Sequence, residues 1–138
     1  MGIVMDTSAL VDLDRSEMTL DKALPNRLDE PLAIPMVVWS ELLVGVRMAA
    51  TPAKAARRRA RLENLRLHVP LIPFDATVSE HYADIFAECL RTGKMIPQND
   101  MAVAATARQL GYAVLVGKSD ESHFRSIRGL QVITLAAS

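Results

Sequence analysis

Four carboxylates that lie far apart in the chain occupy positions where folding could bring them together. Asp6 follows an apolar run, Glu41 interrupts an apolar helical face, Asp100 stands in the first turn of a helix rich in small residues, and Asp120 lies in a polar loop after a second apolar run. Two carboxylates about 4 Å apart repel by about 4 kcal/mol at an effective dielectric near about 20. Such a cluster takes up protons or binds cations. Because oxygen ligands favour hard cations, these acids predict a Mg²⁺ or Mn²⁺ site.

Glu41 has the strongest individual signal. Its helical neighbours at three- and four-residue spacing are apolar or small, and a carboxylate in such a stripe costs several kcal/mol unless it is paired or bound to a cation. Arg47 lies six positions further on and points elsewhere on the helix. Metal ligation or a salt bridge to a distant arginine would each explain Glu41.

Asp6 and Asp100 each also have a structural interpretation. Asp6 could cap the helix that begins at Thr7, although Thr7 and Ser8 offer the same capping chemistry. Asp100 could favour the dipole of its own helix, or it could face inward with the small residues that follow it. Asp75, by contrast, is fully explained as the N-cap of the next helix.

Other polar residues give weaker signals. His68, His81 and His123 are scattered, and we expect them to be surface or hydrogen-bonded residues rather than ligands. There is no Cys/His set with zinc spacing. Acidic and basic residues balance at 16 each, so net charge does not indicate a general nucleic-acid binder. A local basic block is either a phosphate-binding surface or an exposed helix face; it includes Lys54, Arg57, Arg58 and Arg61.

The elements that must position these residues alternate along the chain. Apolar runs predict short strands at 2–5, 31–35, 69–73, 113–116 and 130–134. Caps and periodicity predict helices at 7–14, 20–29, 36–50, 51–68, 75–92 and 98–110. The helix at 36–50 has hardly any polar face, which predicts burial on most sides. Residues 117–123 are expected to form a polar loop. Alternation of continuously apolar strands with helices predicts a three-layer α/β/α sandwich around a parallel sheet.

Size and composition fit one domain spanning residues 1–138. Half of the 138 residues are hydrophobic, which suffices for a core without disulfides. The single Cys89 agrees with a reducing compartment. The N-terminus is too short and too polar for a signal peptide, and no run is long enough to span a membrane. We therefore expect a cytoplasmic protein.

The ordered set of motifs resembles PIN-domain endoribonucleases, in particular the VapC toxins of VapBC toxin–antitoxin systems. The matching segments span nearly the whole chain and are 5–10, 39–45, 98–107 and 114–124, followed by Gly129 and Leu130. The resemblance implies a PIN-like sandwich with a parallel sheet of four or five strands. It places Asp6, Glu41 and Asp100 at the three core acids.

The resemblance also assigns supporting positions. Ser8 takes the place of the hydroxyl beside the metal, with Asn99 as a further supporting polar residue. The family's fourth position lies four residues before a Phe, which selects Asp120. A Thr usually heads this loop, whereas this chain has Gly117, so Glu121 is kept as an alternative fourth ligand.

The chemistry implied by the resemblance is hydrolysis of an RNA phosphodiester bond by a metal-activated water. The implied partners are an RNA of the tRNA or rRNA class, a cognate VapB-type antitoxin and a second copy of the chain. The antitoxin would occupy an apolar groove near Leu10, Val11, Leu13 and the helix that begins at Met36.

Two other interpretations remain open at this stage. A receiver-like signalling domain would use Asp6 for Mg²⁺, Asp75 as phosphoacceptor and Lys118 as its basic partner, but it leaves Glu41 unexplained. A PIN-like fold without catalysis would serve only as a binding module, although all four acids are present.

Overall fold

The computed structural model describes residues 1–27 and 29–135. The strands in this part are β1 (Ile3–Met5), β2 (Leu32–Pro35), β3 (Leu71–Ile72), β4 (Ala113–Val116) and β5 (Val132–Thr134). The helices are α1 (Thr7–Ser16), α2 (Leu20–Ala23), α3 (Met36–Arg47), α4 (Pro52–His68), α5 (Ala76–Thr92), α6 (Gln98–Leu110) and α7 (Glu121–Arg125). A 3-10 turn at Lys118–Asp120 joins β4 to α7.

The strands form one sheet in the order β3-β2-β1-β4-β5, and every pairing is parallel. Val4 in β1 is paired with Ala33 on one side and with Val114 on the other. Every residue of β1 and β4 is buried, as expected for central parallel strands covered on both faces. The predicted parallel sheet is confirmed, with five strands.

The winding of the chain reverses direction at β1. The first half proceeds from β1 through β2 to β3 at one edge, and α5 and α6 then lead back to β4 on the other side of β1. Because such crossovers are right-handed, the two halves place their helices on opposite faces of the sheet. A crevice therefore opens at the carboxyl ends of β1 and β4, where ligands bind in doubly wound sheets.

Helix α6 lies at the centre of the fold. It packs against β1, β2 and β4 and is buried from Asp100 to Ala107. Alanine at positions 102, 104, 105 and 107 allows the helix backbone to approach the sheet closely. Since α6 leads into the amino end of β4, its own N-terminus, with Asp100, lies at the carboxyl edge of the sheet.

Local signals predicted several helix ends correctly. Asp75 caps α5, because its side chain accepts a hydrogen bond from the Val78 N–H at 2.9 Å. Thr51 caps α4 by accepting from the Lys54 N–H at 3.2 Å, with Pro52 in the first turn. These caps act within one turn of chain, so tertiary contacts are not needed to set them.

Three predictions about elements were wrong. The helix expected at 20–29 is only Leu20–Ala23, since Pro25 cannot continue it. Helix α3 is not covered on most sides, because Val44 is 60% exposed and Met48, directly after its last residue, is 76% exposed. The expected loop at 117–123 instead contains the 3-10 turn and the start of α7, which the buried Phe124 anchors in the core. Residue 28, inside the first of these segments, lies outside the described residues.

Among the described residues, no helix combines the length and apolar character needed to cross a membrane.

Candidate active site

Asp6 stands where β1 ends and α1 begins. Its backbone N–H donates to the Leu115 carbonyl of β4 at 3.0 Å, which fixes it beside the crevice. Its Oδ2 accepts hydrogen bonds from the Ser8 N–H at 3.2 Å and from the Ser8 hydroxyl at 2.5 Å. Asp6 therefore does cap α1, and the structural interpretation of this residue is correct. The cap does not exhaust its role, because the side chain is only 2% exposed and carries its carboxylate into a cluster of acids.

Ser8 ties the ends of the two central strands together. Its hydroxyl donates to Asp6 and accepts from the Gly117 N–H at 2.9 Å. A Cβ at Gly117 would lie 2.4 Å from Asp12 Oδ2 and 2.9 Å from the Ser8 carbonyl oxygen. At this close approach a side chain at position 117 would clash with backbone atoms of Ser8.

Asp100 lies in the first turn of α6 and faces inward, at 7% exposure. His123 Nδ1 lies 2.7 Å from Asp100 Oδ2. His123 was expected to be a surface or hydrogen-bonded residue rather than a ligand; it is hydrogen-bonded, and its partner is one of the acids. The sequence offered one indication of where His123 points. It directly precedes Phe124, and burial of Phe124 in the core fixes the direction of the neighbouring side chains.

Asp120 joins the same cluster from the 3-10 turn. One donor atom each from Asp100, Asp120 and His123 lie within 4.8 Å of one another. The alternative residue, Glu121, is engaged elsewhere, by the Thr134 hydroxyl and by Arg125 at 3.4 Å. The Thr134 hydrogen bond, with a smaller contribution from Arg125, lowers the pKa of Glu121. The structure thus brings Asp120, rather than Glu121, to the acids.

Glu41 approaches the cluster from α3. It is half-buried, and its Oε1 accepts a hydrogen bond from the Thr7 hydroxyl at 2.9 Å. Its charge is close enough to contribute to raising the pKa of Asp100. Thr7, which directly follows Asp6, was not predicted from the sequence to take part in the site. A hydroxyl, rather than a distant arginine, is the partner of Glu41 among the described residues.

The pKa values reflect this crowding. Burial raises the pKa of Asp6 from 3.8 to about 6, the Ser8 hydrogen bonds oppose the shift, and Asp100 and Asp120 add to it. Burial also raises the pKa of Asp100; the His123 hydrogen bond opposes this, and Asp120 and Glu41 reinforce it. Carboxylates that are hard to ionise together are stabilised by a nearby cation, so the donor set fits a divalent metal ion.

Several other candidates lie away from the cluster. Asp75 is exposed after the edge strand β3, two strands from β1 or about 10 Å across the sheet. The receiver-like interpretation is therefore wrong, because its two acids are far apart and Lys118 is exposed. Asn99 is exposed beside Asp100 and makes no side-chain hydrogen bond to any described residue. His68 contacts the Asn64 carbonyl at 2.9 Å, on the surface of α4.

The fold and the site together define a class: doubly wound α/β proteins with an acidic cluster at the carboxyl ends of the central strands that could bind a metal ion. Residues 3–130 match the PIN domain family. The chain therefore belongs to the PIN-domain family, within its VapC group.

Specific relatives agree with this assignment. The chain is 34% identical to the VapC ribonuclease Y4jK of Sinorhizobium fredii, with 95% of each chain covered. Among solved structures, VapBC2 from Rickettsia felis, bound to a DNA fragment from its promoter, matches with a TM-score of 0.84 at 20% identity, covering 99% of this chain and 100% of that one. VapBC-5 of Mycobacterium tuberculosis matches with a TM-score of 0.73 at 27% identity, covering 99% and 100%.

Proposed function

We propose that this chain is the toxin of a toxin–antitoxin pair, and that it hydrolyses RNA phosphodiester bonds with Mg²⁺ or Mn²⁺ held by Asp6, Glu41, Asp100 and Asp120. One observation carries the proposal. Four acids from separate parts of the chain converge at the point where the winding reverses, and two of them, Asp6 and Asp100, are buried. Burying ionisable acids together is costly for the fold, so a functional reason is needed. The relative Y4jK of Sinorhizobium fredii is a VapC ribonuclease.

The chemistry is divided among the side chains. A divalent cation, when bound, would lower the pKa of a water molecule bound to it and would neutralise negative charge at the phosphate. Asp6 and Asp100 are the buried anchors of the donor set, and the hydrogen bonds from Ser8 and His123 hold their orientation. Glu41 lines the open groove through which substrate would enter. It is therefore the better placed of the acids to orient the attacking water and to accept its proton.

The substrate assignment follows from the family resemblance. An RNA of the tRNA or rRNA class, cut in a single-stranded or looped region, fits a site that must recognise both a phosphate and a ribose hydroxyl. Such RNA is found in the cytoplasm, which is where we expect the protein to act. We propose further that the whole chain is one PIN domain and that it forms a homodimer, which size-exclusion chromatography with light scattering would test.

A groove of about 680 Å³ next to Glu41 is the proposed antitoxin site. Its lining includes Leu10, Val11 and Leu13 of α1, as the sequence suggested, together with Leu42 and Leu62. An amphipathic segment that laid its apolar face here could direct a basic side chain at the acids. The VapBC-5 structure from Mycobacterium tuberculosis is of a member of the VapBC toxin–antitoxin family. Occupation of this groove would inhibit the enzyme by closing the approach to Glu41.

The test is cleavage of total cellular RNA by the purified protein, with Mg²⁺ or Mn²⁺ and with EDTA. Asp6→Asn and Asp100→Asn should each abolish metal-dependent cleavage. Asp75→Asn is the matched control, because Asp75 also caps a helix after a strand but lies at the far edge of the sheet. A wild-type protein that binds Mg²⁺ or Mn²⁺ but cuts no RNA would instead support the non-catalytic binding module.

A further inference from the structure

Four cations share one face of α4. Lys54, Arg57, Arg58 and Arg61 are exposed and follow the spacing of a single helical stripe. With Asp14 of α1 they line a shallow depression of about 230 Å³. Every lining residue of this depression is charged, and the single carboxylate leaves a strong excess of positive charge.

The four cations differ in how firmly they are held. Arg58 donates to the Gly45 carbonyl at 2.6 Å, at the end of α3, and Arg61 pairs with Asp14. Lys54 and Arg57 form no ion pair with any of the described residues. Two of the cations therefore build the wall of the depression, and the other two are available to an anionic ligand.

The depression is continuous with the acidic site. The groove beside Glu41 is also lined by Arg58, Arg61 and Asp14, so the two cavities share a wall. Gly45, which Arg58 contacts, lies four residues after Glu41 on α3, or about 6 Å along the helix. Asp14 lies seven residues after Thr7 on α1, or about 10 Å along that helix. A strand that leaves the acids along this groove therefore passes the wall that the groove shares with the depression.

We propose that this basic depression binds the sugar–phosphate backbone of the RNA strand on the α4 side of the bond that is cut. The proposal rests on the ribonuclease function proposed above. A cluster of carboxylates repels phosphate, so a nearby cationic surface is needed to hold the strand in place. Arginine is well suited to this because its planar donors match phosphate oxygens.

An acidic protein segment is the competing occupant, and the lining favours RNA. Protein segments gain most of their affinity from a few apolar or aromatic anchors in desolvated pockets. The depression offers only charged side chains, whereas the apolar positions lie in the neighbouring groove. A phosphate backbone requires no apolar anchor, and its affinity comes mainly from such charges.

The experiment measures binding of a fluorescein-labelled uridine dodecamer by fluorescence anisotropy at several salt concentrations. All variants are made in the Asp100→Asn background, so that the RNA is not cut. Lys54→Gln with Arg57→Gln should weaken binding about tenfold at low salt and reduce the slope of log affinity against log salt by about 1.4, or about 0.7 for each lost phosphate contact. Arg59→Gln is the matched control and is compared with Arg57→Gln. Arg59 faces away on the same helix and pairs with Glu63 at 3.1 Å. Arg59→Gln should leave both quantities unchanged.

The outcomes separate this inference from the proposed function. If the wild type cuts RNA, but the double variant in the Asp100→Asn background binds the dodecamer with unchanged affinity and slope, the basic depression is not an RNA site. The same conclusion follows if the double variant loses affinity only for the cognate antitoxin. If the slope falls as expected while the wild type cuts no RNA, the backbone site stands and the catalytic proposal fails. Circular dichroism of each variant checks that α4 is intact.

Discussion

At the scale of single residues, Asp6 combines two roles that usually belong to different side chains. It caps α1, and it carries a buried charge into an acidic cluster. The cap explains why an acid is compatible with this position, but any of several polar residues would cap as well. The buried charge destabilises the fold. Such destabilising residues are expected where function and stability compete.

The first prediction separates these roles by replacing Asp6 with Asn. Asparagine keeps an oxygen that accepts from Ser8 and is an equally good cap, but it removes the charge. The pKa of Asp6 is about 6 in the fold against 3.8 ordinarily, so the folded state binds the proton more tightly. The metal-free wild type is therefore penalised at pH 7.5 and recovers stability as pH falls toward about 4. Asp6→Asn should be about 3 kcal/mol more stable than the wild type at pH 7.5.

Thermal and urea unfolding in EDTA, from pH 7.5 to pH 5, would measure this difference. The advantage of Asp6→Asn should shrink as the pH falls, because protonation of the wild type removes the same charge. The rise in Tm that Mg²⁺ produces in the wild type should be lost in the variant. A metal-free Asp6→Asn protein that is less stable than the wild type at pH 7.5 would show that the charge is not a burden on the fold.

The second prediction concerns His123, which lies 2.7 Å from Asp100 through Nδ1. His123→Ala removes the group that orients Asp100 and should raise the Mg²⁺ concentration for half-maximal cleavage by about tenfold. His123→Asn places an amide near the position of Nδ1 and should restore much of the loss. His68→Ala is the control, since the hydrogen bond of His68 is to the Asn64 carbonyl, on the surface of α4. Equal metal dependence of His123→Ala and the wild type would remove His123 from the site.

At the scale of elements, the contact between the start of α1 and the turn after β4 holds two of the acids in place. Ser8 accepts from the Gly117 N–H at 2.9 Å, and Gly117 packs directly against the Ser8 backbone. Asp6 lies on one side of this contact and the turn that carries Asp120 lies on the other. A small change in its spacing therefore moves one acid relative to the other.

The third prediction is that Gly117→Ala lowers RNA cleavage at least about tenfold and destabilises the fold by about 1–3 kcal/mol. The added Cβ would lie 2.9 Å from the Ser8 carbonyl oxygen, and backbone atoms cannot move aside as a flexible side chain can. Gly45→Ala is the matched control. A Cβ there has open space around it, and alanine in a helix is favoured over glycine by about 1 kcal/mol. Urea unfolding and a cleavage assay measure both effects; full activity of Gly117→Ala would contradict the tight packing.

At the scale of the whole molecule, three kinds of surface meet along one cleft: the acids, the apolar groove and the basic depression. The groove lies between the other two. A partner in the groove and an RNA strand along it would therefore exclude each other. Inhibition by an antitoxin would then require no conformational change in the toxin.

The fourth prediction tests the groove through Val11. This residue lines the groove but does not belong to the hydrophobic core cluster, so Val11→Glu should leave the Tm within a few degrees of the wild type. Burying the new charge against an apolar segment should weaken binding of the cognate antitoxin by at least about tenfold. Val44→Glu is the control, because Val44 is 60% exposed on α3 and lies outside the groove. Isothermal titration calorimetry measures the affinity of each variant for the antitoxin. If Val11→Glu binds the antitoxin as tightly as Val44→Glu does, the antitoxin does not occupy this groove.

Much of the secondary structure was predictable because its signals are local. Thr51 and Pro52 start α4, Asp75 starts α5, and continuously apolar runs mark β1 and β4. The helix expected at 20–29 was wrong because the effect of Pro25 was overlooked. The exposure of α3 was not predictable from its apolar composition alone, since a pattern shows which residues can be buried and not what is available to cover them.

The sequence by itself determined the types of the elements and pointed to Asp6, Glu41 and Asp100, because caps, periodicity and an acid among apolar residues are properties of neighbouring positions. Only the tertiary structure decided the strand order, the choice of Asp120 over Glu121, and the place of His123 beside Asp100. The last two depend on how Phe124 anchors a short helix whose side chains could have turned either way. Local sequence rules do not fix the direction of so short a helix; its packing against the core fixes it.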